Sequence, residues 1–158
     1  MQITSRLEFA ADPKTVHLMM TDRGWLTELV GRSEATSHSI DIAGPTTRVE
    51  MALPAPQEIA RFVGSALNLR QTVTWGDPAQ DGSREGSLVV EVLGMPVTMN
   101  GSARMYPGGR GTVVDYSGDL KVNIPLMGKK IEQQAAPHVK DAIDTQQAVG
   151  DDWLAARG

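Results

Sequence analysis

Thr112-Val113-Val114-Asp115-Tyr116-Ser117-Gly118-Asp119-Leu120-Lys121-Val122-Asn123-Ile124, with the residues that follow it, decides the fold. Val114, Tyr116, Leu120, Val122 and Ile124 share one parity, so the stretch reads as a strand with a single buried face. From Pro125 onward the period changes. Ile131, Ala135, Val139, Ala142, Val149 and Trp153 recur in steps of three, four or seven, the signature of one helix face. His138, Thr145 and Gln146 project to the same side at about 100° per residue. A helix from Leu126 to Ala156 extends about 45 Å at 1.5 Å per residue. Pro137 lacks an amide hydrogen and crowds the preceding turn, so a kink or short break is expected at residues 133–137. An amphipathic helix of this length at the end of a strand-rich region must lie across a sheet, and a curved sheet closed by a helix encloses a cavity.

Working back towards the N-terminus, Ile3, Ser5, Leu7 and Phe9 alternate with polar neighbours as a half-buried strand. Asp12-Pro13 reads as a helix cap followed by proline at the first helical position, with Val16, Met19 and Met20 inward. Thr21-Asp22 restarts a second short helix carrying Trp25, Leu26, Leu29 and Val30. Residues 35–43 and 46–53 flank Gly44-Pro45 as a hairpin. Ile59, Phe62 and Val63 mark one or two helical turns that end at Gly64. Leu67, Leu69, Gln71, Val73 and Trp75 give the cleanest alternation in the chain. Two more strands follow, with Leu88, Val90 and Val92 on the first and Val97, Met99, Ala103 and Met105 on the second. Short turns join successive strands, which predicts an antiparallel meander.

Length and composition bound the function. A chain of 158 residues with 41% hydrophobic and 22% charged residues fits one globular domain, residues 1–158, able to bury a substantial core. A net charge of −4 and the absence of any basic run argue against nucleic acid as a partner. Without cysteine there are no disulfides, thiolate nucleophiles or Cys-based zinc sites. The N-terminal residues lack a signal-peptide layout and no apolar run is long enough to span a membrane, so a soluble cytoplasmic protein is expected.

The order of one strand, two short helices, six strands and a long helix resembles the helix-grip fold of the START-like or SRPBCC superfamily, which includes birch-pollen-allergen-like and lipid-transfer proteins and polyketide cyclases. Within it the chain is most similar to an uncharacterised family of high-GC bacteria. The residues that carry this likeness are Gln71-Thr72-Val73-Thr74-Trp75, Gly86-Ser87-Leu88-Val89-Val90-Glu91-Val92 and Gly94-Met95-Pro96-Val97. To them belong also Lys121-Val122-Asn123-Ile124-Pro125-Leu126-Met127-Gly128-Lys129-Lys130-Ile131-Glu132 and the terminal Gly150, Trp153 and Leu154. The resemblance implies an α+β architecture, a seven-stranded antiparallel sheet wrapped around the C-terminal helix, and an apolar pocket between them. It brings no catalytic residue with it.

The leading expectation is non-covalent binding or transport of a hydrophobic or amphipathic small molecule, with no cofactor. On the sheet the candidate pocket residues are Met51, Leu69, Gln71, Val73, Val90, Met99 and Tyr116; on the helix they are Ile131, Ala135 and His138. Methionines, eight in all, suit an adaptable wall, although each is ordinary core filler when taken alone. Gln71, Tyr116 and His138 are polar groups on inward positions, able to orient a ligand or simply to be satisfied by the core. His38 has the same parity on a strand with weaker alternation. The segment Gln57–Gly64, with Phe62, is expected at the pocket mouth.

Two alternatives stand beside binding. A cyclase- or aromatase-like enzyme would use His138 and Tyr116 as an acid–base pair. A co-chaperone-like interaction module would have a filled pocket. No metal site is expected, because His17, His38 and His138 fall on three different elements, and Asp77, Asp81 and Glu85 lack the ligand spacing of a calcium loop.

Overall fold

The computed structural model describes Met1 to Arg157. Its elements are β1 (Gln2–Phe9), α1 (Pro13–Met20), α2 (Arg23–Arg32), β2 (Ser37–Ala43), β3 (Thr46–Pro54), α3 (Gln57–Val63), β4 (Ala66–Trp75), β5 (Arg84–Val92), β6 (Val97–Gly108), β7 (Gly111–Val122) and α4 (Gly128–Arg157). All seven strands form one antiparallel sheet in the order β1-β7-β6-β5-β4-β3-β2. Strands β2 to β7 are therefore a meander, and β1 returns to pair with β7. The connection from β1 to β2, built from α1 and α2, runs from one edge of the sheet to the other.

Local chemistry sets the boundaries. Asp12 accepts from the Thr15 amide at 3.0 Å and Pro13 opens α1, while Asp22 accepts from the Gly24 and Trp25 amides at the start of α2. Gly44, at φ +58°, is the first residue of the two-residue β2–β3 loop, where a turn with a positive first φ and a following proline fits the twist of the hairpin.

The register lines up residues of the inner sheet face in rows. One row runs Val49, Gln71, Val90, Met99, Leu120. Its neighbour towards α3 runs Met51, Leu69, Val92, Val97, Val122. On the other side come Thr47, Val73, Leu88, Gly101, Gly118, then Trp75, Gly86, Ala103, Tyr116, Ser5. The end of the sheet beyond Trp75 is filled. Phe9, Leu7, Met105 and Val114 pack there with Val16 and Met19 of α1 and with Trp25 and Leu26 of α2, all of them buried.

The long helix is unbroken from Gly128 to Arg157, with Pro137 inside it. The expected break at residues 133–137 is absent. Proline removes the amide that would reach the Gln133 carbonyl, and both residues are exposed, so that carbonyl lies on the hydrated side. The C-terminal half of α4 is seated tightly. Gly150 abuts the ring of Phe9. The Gln147 carboxamide accepts from the Glu8 amide at 2.9 Å and donates to the Glu8 carbonyl at 2.6 Å, serving as a short strand partner for the edge of β1. Ser5 donates to Asp144 at 2.6 Å, and Arg32 of α2 reaches Asp152 at 2.6 Å. Ahead of the helix, Leu126 stands at φ +67° with its side chain fully exposed.

Candidate functional site

Where the N-terminal half of α4 passes over the sheet, its side chains do not reach the opposite wall. A cavity of about 270 Å³ remains, bounded by α4, α3 and the two inner rows nearest α3. The sheet wall includes Met51, Leu69, Gln71, Val90 and Met99, and the helix wall Ile131, Ala135 and Val139. Tyr116 and Leu88 reach in from deeper rows, and Leu29 from α2. Pro54, Pro56, Ile59 and Val63 form the side contributed by α3 and the strand before it.

Three expected positions are placed differently. Val73 does not line the cavity: it has the right parity and its row-mate Leu88 reaches the space, but Val73 itself is covered as part of the buried core. His38 pairs with Met51 in register, yet it is exposed on the edge strand, where Ile40 and Ile42 pack on the core and His38 does not. Phe62 faces a satellite cluster of Ile59, Val122 and Ile131 and carries Arg61 over its ring at 4.7 Å. Ile59 and Val63 take the lining role on α3.

Polar groups are few. Deep in the site, Tyr116 donates to the Gln146 Oε1 at 2.9 Å, both residues being more than nine-tenths buried. Burial pushes the phenol pKa upward, with the Gln146 contact opposing it, so Tyr116 is a neutral donor. Gln146 lies within reach of the sequence pattern, three residues after Ile143 and seven after Val139. At the outer end, His138 Nε2 lies 3.2 Å from Glu58 Oε2, bridging α4 to α3 across the rim, and both side chains are substantially exposed. The Glu58 amide and the His138 ring hold the Glu58 carboxyl below its ordinary range. His138 and Tyr116 are thus each engaged with a different partner, and the acid–base pairing considered from the sequence is not made.

Among the described residues no group of three or more His, Cys, Asp or Glu is arranged to hold a metal, and no helix is long and apolar enough to cross a membrane. Gly109 and Arg110 form the turn that joins β6 to β7.

Comparison of the fold with solved structures gives whole-chain matches. A protein from Thermus thermophilus aligns over 100% of both chains at TM-score 0.66 and 17% identity. The di-domain ARO/CYC StfQ of the steffimycin biosynthetic pathway aligns with 99% of this chain and 51% of its own at TM-score 0.67 and 11% identity. A STAR-related lipid transfer protein from Xanthomonas axonopodis aligns with 96% of this chain and 83% of its own at TM-score 0.62 and 15% identity. At such identities the likeness carries the fold, which is the helix-grip fold. Comparison with curated proteins gives no match. Residues 4–154 match the family described as "Protein of unknown function (DUF2505)", and the chain belongs to that family.

Proposed function

We propose that this chain binds an apolar or amphipathic small molecule in the cavity under α4 and carries or senses it in the cytoplasm without transforming it. The observation that carries this reading is the cavity itself, an unfilled space of about 270 Å³ walled almost entirely by aliphatic and methionine side chains. Such a surface favours an apolar occupant, because covering it with a ligand releases the water that would otherwise wet it. Met51, Leu69, Val90, Met99, Ile131 and Ala135 would form the apolar contacts. Gln71, Tyr116 with Gln146, and His138 at the rim would orient the molecule. Val73 would act only through the core behind the site.

The test is native mass spectrometry of the protein purified from its own host, with Nile red uptake as a second readout. A small-molecule adduct and Nile red fluorescence are expected for the wild type. Both should disappear in Ala135→Phe, which directs an aromatic ring into the cavity. A bare protein mass together with no Nile red uptake by the wild type would refute the proposal.

A further inference from the structure

The cavity wall carries a strong chemical bias that size and greasiness alone do not express. Among the described residues no Asp, Glu, Lys or Arg lines it, and its two ionisable groups are unequal. His138 sits at the exposed rim, already beside a carboxylate, and Tyr116 is a buried neutral phenol. A charged headgroup taken to the interior would shed its hydration with no counter-charge to meet it.

What the interior offers instead is carboxamide. Because Tyr116 donates to Oε1 of Gln146, the Gln146 amide nitrogen is turned to donate elsewhere, and among the described residues no protein acceptor engages it. On the sheet wall, Gln71 stands in the row of Val90, Met99 and Leu120 with no side-chain partner among the described residues at either end of its amide. One wall thus presents a donor already polarised by a phenol, and the other a group that donates or accepts. Polar groups in a largely apolar enclosure are satisfied either by protein or by what fills it.

Resting on the binding reading above, we infer that the physiological ligand is uncharged and carries an acceptor oxygen, a ketone, ester or hydroxyl, seated against the amide nitrogen of Gln146. The body of the molecule is an apolar chain or ring system.

Matched ten-carbon probes test this by displacement of bound Nile red at neutral pH: decan-2-one, dec-1-ene, decanoate and decylammonium. Decan-2-one is expected to bind at least about tenfold more tightly than either ion. It should also exceed dec-1-ene by roughly threefold to tenfold, the share of one net hydrogen bond. The double variant Tyr116→Phe/Gln146→Leu removes both partners of the buried bond and leaves neither orphaned. Whatever its absolute affinities, the ratio of decan-2-one to dec-1-ene binding should fall to about one in it. Decanoate or decylammonium binding as tightly as the ketone would overturn the inference while leaving the binding site standing. A ketone preference that survives in the double variant would overturn the assignment to Gln146. Failure of Nile red and every probe to bind the wild type would overturn the binding reading itself, and this inference with it.

Discussion

Alanine in place of Gly150 should destabilise the protein, although alanine is the better helix former. A Cβ at Gly150 falls within 3.0 Å of three carbons of the Phe9 ring, and Phe9 is 0% exposed. The change gains about 1 kcal/mol of helix propensity. Forcing an extra carbon into a filled core costs about 1–3 kcal/mol, and overlap this close with a fixed ring belongs at the upper end. The net expectation is a loss of about 1–2 kcal/mol. Gly31 in α2 is the internal control, because nothing lies within 4 Å of its hypothetical Cβ. Gly31→Ala should therefore keep the propensity gain and stabilise by about 0.5–1 kcal/mol. Urea unfolding of both variants, read as a shift in midpoint at unchanged m-value, makes the comparison. Phe9→Leu added to Gly150→Ala should recover part of the loss, with a coupling energy of about 0.5–3 kcal/mol in the double-mutant cycle. If Gly150→Ala is as stable as wild type or more so, α4 is not seated on Phe9 and the account of why a gap remains further along the helix fails.

Two further outcomes follow from local chemistry. Burial works against the Asp115 carboxylate, but the Tyr106 phenol at 2.7 Å and the Arg6 guanidinium at 2.9 Å outweigh it and hold its pKa below the ordinary aspartate range. A depressed folded pKa contributes stability that is present above the unfolded value, about 3.9, and is lost as pH falls through the folded value. Asp115→Asn should therefore flatten the acid limb of the stability profile, and superimposable limbs for the variant and the wild type would contradict this. Leu126 combines φ +67° with a fully exposed side chain, so Leu126→Asn gives up no packing and relieves a left-handed backbone that asparagine tolerates. A rise of about 0.5–1 kcal/mol in unfolding free energy is expected, and a fall in a denaturant titration would show that Leu126 makes a stabilising contact.

The strands are legible because parity is a local property. Leu67 to Trp75 and Val114 to Val122 alternate, and the sheet uses both as the pattern implies. Depth along a strand is not local. Val73 and Gln71 have identical parity, but whether a residue faces core or cavity depends on which side chains from other elements cover it, and the sequence of β4 holds no record of them. His38 departs from expectation for a related reason, since an inward parity on an edge strand guarantees no cover. On α4 the apolar stripe passes through Ala142, which is exposed, and leaves out Ile143, which is buried. A stripe of thirty residues drifts around the helix, and its two halves meet different surfaces: an open sheet first, then β1 and α2. Gln146 is on the projected face, but its importance comes from Tyr116, thirty residues away on another element, and no pattern within α4 reveals it.

The path of the chain from β1 to β2 has a mechanical consequence. Six inter-strand spacings of about 4.8 Å make the sheet roughly 29 Å wide. The connection crosses this width as two separately capped helices, α1 packed on β6 and β7 and α2 packed on β2 and α4. Through α2 the outermost strand and the roof are tied to each other, while α1 is tied to the far strands. A change at the Thr21-Asp22 joint between them should therefore shift that rim and the roof together without altering any residue of the wall.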